Sequence, residues 1–301
     1  MEMAQAHRRL GCAVTVIEAG RALGREDPEL AAVVVQQLRQ EGVTIVEGTG
    51  VSAVAGGPGI TATLSDGRTV TGSHILIAAG RKVALDGLGL DAAGVAHDAR
   101  GVTVDASLRS TNRRVYAVGD AAGGAQFTHL AGYHAGVVIR QMLFSLPARA
   151  SMAHIPRATY TDPELAQVGL TEAEARARHG ARLTVLRWPF HDNDRAQAEG
   201  RTQGLIKVMV VKGRPVGAGI VGAQAGELIG LWALALSAGL KMGSLAGMVA
   251  PYPTLGEVSK RAAGAYFSPR LFDNPMLKQV VRKVPIAEDV ARYAVRLSAA
   301  S

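Results

Sequence analysis

The chain has 301 residues, 48% hydrophobic and 19% charged, with 36 glycines and a single cysteine. At roughly 100–200 residues per domain this is about two domains with a sizeable core, and the plentiful apolar residues exclude wholesale disorder. The net charge is +8, but the excess is scattered arginine without a basic run interleaved with aromatics, so the pattern argues against a nucleic-acid partner.

The densest basic stretch, Lys278–Lys283, reads as the wet face of a helix. Cys12 stands alone, so it forms no intrachain disulfide and no metal knuckle. It reads as a small buried hydrophobe in a protein of a reducing compartment. The first twenty residues lack the apolar core of a signal peptide. The longest apolar run, Leu228–Leu240, is too short to span a bilayer. A soluble cytoplasmic protein without a membrane partner is expected.

The opening alternates helix and strand. Met1–Leu10 has helical composition and ends at Gly11; Val14–Ile17 is a short β-branched run that reads as a buried strand. Pro28 to Gln40 reads as a helix, with Pro at its start, Glu29 in its first turn and Gly42 past its end. Val43–Val46 follows as a second buried strand. This is the grammar of a βαβ unit with a parallel sheet.

Ile60–Leu64 and Thr69–Ile77 then flank Ser65-Asp66-Gly67-Arg68, a hairpin signal because glycine accepts positive φ. Val115–Val118 reads as a buried strand, Phe127–Phe144 as a helix and Ser145–His154 as a linker. Beyond it, Tyr160-Thr161-Asp162-Pro163 is a turn, and Thr171–His179 a helix opened by a capping box of Thr171 and Glu174. Leu183–Trp188, Leu205–Val211 and Val216–Ala223 are strands, the last two joined at Lys212-Gly213-Arg214. Gly226–Gly239 and Thr254–Ala265 are helices. The expected class is α/β, with incomplete doubly wound dinucleotide-binding domains followed by an α+β domain.

Two strand ends carry the chemistry. Val14-Thr15-Val16-Ile17 delivers Glu18, the acidic side chain that a dinucleotide fold uses to accept hydrogen bonds from ribose hydroxyls. Its plain alternative is a solvated strand terminus. The charge of Glu18 disfavours a 2′-phosphate, whereas Arg21 three residues on favours one. Val115–Val118 delivers Gly119 and Asp120, where glycine permits close backbone approach and Asp120 can accept from ligand hydroxyls. The helix from about Phe127 aims its positive end at the same place. The alternative is a strand ending in a polar turn. No His, Asp and Glu cluster has metal-ligand spacing: His129 and His134 are five apart on a helix and His191 stands alone.

Glu2–Ala6, Val14–Glu18, Ile75–Arg81, Thr111–Asp120, Gln126–His129, Tyr160–Ala175, Pro189–Gly200, Gly217–Ile229 and Pro251–Glu257 occur in one order. In that order the chain resembles the pyridine-nucleotide-disulfide oxidoreductases over about residues 1–267. These are the FAD enzymes that include dihydrolipoamide dehydrogenase, glutathione reductase and mercuric reductase. The resemblance implies a homodimer that uses FAD and NAD(P)H on a small-molecule or thiol/disulfide substrate, passing hydride from nicotinamide to flavin. It implies a partial NAD(P)-binding domain over 1–78, the returning segment of an FAD-binding domain over 79–150, a dimer-interface domain over 151–267 and a helical tail over 268–301. Glu2 matches the acidic residue near the nicotinamide, and Glu18 the ribose acceptor. Gly80 matches the turn glycine, and Gly119 and Asp120 the ribityl contact. The backbone of Gln126, Phe127, Thr128 and His129 is expected to face the flavin pyrimidine.

The sequence also departs from the family pattern. The glycine fingerprint expected before Val14, the family's FAD-binding glycine fingerprint and its Cys-x4-Cys redox pair are not found in it. Tyr252 stands where dihydrolipoamide dehydrogenase and glutathione reductase have a catalytic histidine, as in mercuric reductase, with Glu257 matching the glutamate that holds that histidine. A phenol titrates near pH 10, so Tyr252 is a poor thiol base; its other reading is an interface residue with a bonded hydroxyl. The Thr and Pro of the family's Ala-Thr-Gly-Arg-x-Pro stretch are replaced by Ala79 and Val83. The expectation is therefore weak or absent activity for the chain alone. A non-catalytic dimerising remnant is the alternative.

Overall fold

A computed structural model describes residues 1–276 and 278–279. The first unit opens with α1 (Glu2–Arg9), β1 (Thr15–Glu18), α2 (Pro28–Gln40) and β2 (Thr44–Glu47). The α2 helix starts where Asp27 accepts from the Glu29 amide and Pro28 fills the first turn. The strands β1 and β2 are parallel, in the register Thr15↔Thr44 to Glu18↔Glu47. Their apolar residues are only half-buried, because this sheet has two strands among the described residues. An antiparallel three-stranded sheet follows: β3 (Val51–Gly56), β4 (Ile60–Leu64) and β5 (Thr69–Gly72). The β4–β5 turn has the expected glycine, Gly67, at φ 86°. A small pair, β6 (His97–Asp98) and β7 (Gly101–Val102), precedes α3 (Thr128–Phe144).

Three expectations for this half are corrected. The second hairpin strand stops at Gly72, and Ile75, Leu76 and Ile77 lie exposed outside any strand. Residues 115–118 make no strand; Tyr116 forms one isolated bridge with Arg109, and Val118 is exposed. Both segments have strand composition, but a strand also needs a neighbouring chain for its backbone groups. Cys12 is exposed rather than buried.

The second unit is built on a five-stranded antiparallel sheet of β8 (Arg157–Thr159), β9 (Glu164–Gly169), β10 (Leu183–Pro189), β11 (Leu205–Val211) and β12 (Arg214–Gly222). Its order is β10-β11-β12-β9-β8. Sequence reasoning misses β8 and β9. Around the sheet run α4 (Glu172–His179), α5 (Asp194–Ala198), α6 (Ala225–Ser237), α7 (Met242–Ala246), α8 (Glu257–Ala265) and α9 (Ser268–Phe272). The α4 capping box is present as expected. The expected helix from Thr254 begins at Glu257. The tail expected over 268–301 begins with α9; most of it, with Lys283, lies outside the described residues.

Strand alternation sorts the sheet's side chains between two cores. Ala166, Val168, Ile206, Val208, Ala218 and Ile220 pack with Trp232, Phe190 and Val258 on one face. Leu165 and Val221 face the other way, onto Leu30, Val34 and Leu38 of α2. Gly219 is required there: a Cβ would come 2.4 Å from Leu30 Cδ1. The two units thus share a core.

The linker expected at 145–154 has no regular structure but is strapped down. Gln141 Nε2 donates to Ala148 O at 3.1 Å, Ala150 N to Ala106 O at 2.7 Å and Ser151 N to Tyr133 Oη at 2.9 Å. No helix among the described residues is long and apolar enough to cross a membrane.

Candidate functional site

Gly119 begins a single helical turn over Gly119–Ala122, with φ 58°. A Cβ at Gly119 would come 2.8 Å from Ala131 Cβ, so glycine is what lets this turn seat against α3. The buried imidazole of His134, one turn deeper in α3, accepts from the Gly119 amide through Nδ1 at 3.2 Å. Burial pushes the His134 pKa down, which keeps that nitrogen free to accept. Sequence reasoning assigns His134 no part in the site; its position in the helix face turned toward Gly119 is the one signal that points to it.

Asp120 follows, exposed. The N-terminus of α3 comes next, and no side chain caps it. Its first amides therefore have no intrahelical acceptor, and the helix dipole adds to their pull on an electron-rich group. The Phe127 ring stacks on His129 with centroids 5.2 Å apart, and His129 Nε2 lies 2.8 Å from Pro156 O. The structure thus brings Gly119, Asp120 and Gln126–His129 to one helix end. An exposed carboxylate, uncapped amides and a cradle that a Cβ would fill fit a hydroxyl chain joined to an electron-rich ring edge, the parts of FAD expected here from the sequence.

Glu18 lies at the carboxyl end of β1, opposite Glu47 of β2. Its Oε1 accepts from the Gly20 amide at 2.8 Å, while Glu47 accepts from the Ala22 amide at 2.8 Å and pairs with Arg39. A cleft of about 700 Å³ opens between α2 and these strand ends, with Arg21, Val35, Arg39 and Glu47 in its wall. Glu47 is the carboxylate in that wall and shares it with Arg21 and Arg39, while Glu18 lies at the neighbouring strand end. Gly80 sits at φ 113° in the exposed segment after β5, where an added Cβ would meet nothing within 4 Å. Glu2 is otherwise engaged: its Oε1 accepts from the Tyr160 amide at 2.6 Å. Gln5 adds a reciprocal pair with the backbone of Asp162, so α1 is clamped to the second unit.

Tyr252 and Glu257 lie together on the second unit. The Tyr252 hydroxyl donates to Asp194 Oδ2 at 2.9 Å, and the residue is 71% exposed. The Asp194 carboxylate, helped by Glu257, raises the Tyr252 pKa, so the phenol stays protonated. Glu257 begins α8 and lines a cleft of about 400 Å³ with Trp188, Lys260 and Arg261. Asp192, Asp194 and Arg195 surround Asn193, which caps α5 and donates to Thr254 O at 3.0 Å. No hydrogen bond or ion pair among the described residues joins the Tyr252 group to the Asp120 turn. No cluster of three His, Cys, Asp or Glu side chains among the described residues could hold a metal ion.

Residues 155–263 match the family described as "Pyridine nucleotide-disulphide oxidoreductase, dimerisation domain", and residues 1–135 the one described as "Pyridine nucleotide-disulphide oxidoreductase". A mercuric reductase of Streptomyces lividans is 36% identical over 278 residues, covering 89% of this chain and 58% of that protein. A dihydrolipoyl dehydrogenase of Chlorobaculum tepidum is 33% identical, covering 87% and 58%. Among solved structures, LpdA of Mycobacterium tuberculosis superposes with a TM-score of 0.83 at 28% identity, over 88% of this chain and 59% of that one. The copper(II) complex of RclA, an HOCl-induced flavoprotein disulfide reductase of Escherichia coli, gives 0.80 at 27%, over 87% and 60%. The chain therefore spans about three-fifths of the length of these relatives.

Proposed function

The chain belongs to the pyridine nucleotide-disulphide oxidoreductases, FAD-dependent enzymes with NAD(P)H as electron donor, and on that premise we propose that it carries the nicotinamide-nucleotide and dimerisation parts of such an oxidoreductase. Residues 1–78 supply the nucleotide-binding part, 79–150 the flavin-facing segment and 151–267 the homodimer interface. The flavin, when bound, supplies a two-electron acceptor for hydride. Asp120 accepts from its ribityl hydroxyls, and the amides at Phe127–His129 donate to its pyrimidine edge. Glu18 accepts from the adenosine ribose. Glu2, with its carboxylate committed to Tyr160, acts first as a clamp between the units. Tyr252 and Glu257 belong to the substrate end. Tyr252 is protonated there and serves as a hydrogen-bonding group rather than a base. The substrate is a small molecule or a thiol/disulfide, and this sequence contributes one cysteine.

The single observation that carries the reading is the exposed Asp120 beside the uncapped end of α3, over a glycine pressed against Ala131. The test is a flavin spectrum taken on the dimer peak of a sizing column after mixing with FAD. A retained, NADH-reducible flavin is the expected result for the cofactor site, with little or no turnover by the chain alone. A colourless dimer would favour the second reading, a non-catalytic dimerising unit. That reading has its own support: the sheet of the second unit is closed on both faces, whereas Ile75–Ile77 and Val118 of the first unit are exposed.

A further inference from the structure

The turn that carries Asp194 grips the loop of Tyr252 at two points. Asn193 accepts from the Ala196 amide at 2.9 Å through Oδ1, which fixes its side chain, and donates from Nδ2 to Thr254 O at 3.0 Å. Thr254 Oγ1 in turn donates to Pro251 O at 2.8 Å. These bonds fix the loop backbone on either side of Tyr252. They leave the ring itself free, and at 71% exposure little packing holds it. What restrains the ring is the 2.9 Å bond from its hydroxyl to Asp194 Oδ2.

That bond decides which chemistry the phenol can offer. A phenol has one hydrogen to donate and lone pairs with which to accept. Its hydrogen is committed to an ionised carboxylate, and such charge-assisted bonds are stronger than neutral ones. What remains exposed on Tyr252 is an oxygen that can only accept.

We infer that Asp194 is a positioning residue that presents Tyr252 to the substrate as a hydrogen-bond acceptor, so that the group recognised there is a donor, the thiol S–H of the substrate's reduced form in preference to the disulfide sulfur that takes up the electrons. This rests on the reading of Tyr252 as part of the substrate end. The charged groups that bear on the phenol are Asp194 and, more remotely, Glu257, and both favour its protonated form. His191 and Asp192, on the same turn, pair with each other at 3.5 Å.

The test is carbon-13 NMR of the full chain labelled at tyrosine Cζ, with the Tyr252 resonance assigned by loss in Tyr252→Phe. In the unaltered chain Tyr252 ionises above the ordinary phenol range of about 10. In Asp194→Asn, which keeps an acceptor oxygen but loses the charge, the midpoint falls. At pH 7, dithiothreitol shifts the resonance saturably in the unaltered chain and in Asp194→Asn, but not in Asp194→Ala. Its oxidised cyclic disulfide does not shift it in any of the three. A midpoint unmoved in Asp194→Asn overturns the proposal, and so does a disulfide response equal to that of the dithiol. Asp194 is exposed, so both variants are expected to fold. None of these measurements needs turnover, so a chain that retains no flavin still decides the role of Asp194.

Discussion

Lys207 stands alone as a cation in the apolar strand Leu205–Val211, and its side chain is 3% exposed. It pairs with Asp27 at 2.9 Å, Glu29 at 2.8 Å and Glu172 at 2.6 Å, while Arg187 braces the same two glutamates. Burial pulls the pKa of Lys207 down, but its bonds to Glu172, Glu29 and Asp27 outweigh that and the net shift is upward. Removing one partner from such a cluster leaves uncompensated buried charge. Lys207→Met is therefore expected to cost about 3–5 kcal/mol, read as a lower urea midpoint. A loss below about 1 kcal/mol, the scale of surface pairs, would sink this account.

The same cluster sets an acid limit. Arg187, with help from Lys207, holds Glu29 at about 2 against an ordinary 4.5, and Arg9 does the same for Glu41. A carboxyl with a depressed folded pKa contributes stability that is complete above its unfolded value and is lost as pH falls through the folded one. The urea midpoint should hold above about pH 4.5 and fall steadily toward about pH 2. A midpoint that stays flat across that window would contradict the ion pairs.

At the scale of elements, the join between the Gly119 turn and α3 is the most sensitive. Any side chain at φ 58° costs roughly 1–2 kcal/mol, and at Gly119 the added Cβ must also push Ala131 aside. Gly119→Ala is thus expected to lower Tm modestly and FAD retention much more, because the turn places Asp120. Equal loss in a variant distant from the turn, such as Lys212→Ala, would show that retention tracks general stability instead. The second unit owes its rigidity to a different device. Its sheet is covered on one face by α6, α7 and α8 and on the other by α2, with Trp232 and Phe190 fully buried.

Across the whole molecule, order is unevenly distributed. After β5, residues 73–85 carry no regular structure, and Ile75, Leu76 and Ile77 are 42%, 64% and 77% exposed. The last turns of α3 expose Ile139, Met142, Leu143 and Phe144 as well. Segments with few buried contacts open first. Brief trypsin treatment is expected to cut at Arg81 and Lys82 before any site in 155–263, leaving a large C-terminal fragment by mass spectrometry. First cuts within β9 to β12 would invert this order of stability.

The local elements are legible in the sequence because their signals are local. Asp27 and Pro28 start α2, Thr171 and Glu174 open α4, and Asp66-Gly67 turns the β4–β5 hairpin, each through bonds among neighbours in sequence. The order of motifs is legible too, and it leads to the family and to Asp120, Glu18 and Tyr252 as the residues to inspect. Propensity misleads at 73–77 and 115–118, because a strand is completed by a partner chain that composition does not reveal.

What the sequence determined by itself was the helices, the turns, the α/β to α+β grammar and the family. The tertiary structure decided that Glu2 clamps Tyr160, that His134 supports Gly119, that Lys207 ties α2 to the second sheet and that Asp194 accepts the Tyr252 hydrogen bond. Those pairs lie between 15 and 180 residues apart in sequence. Charge and hydrogen-bonding capacity are written in single residues, but which donor meets which acceptor is settled only when the chain folds.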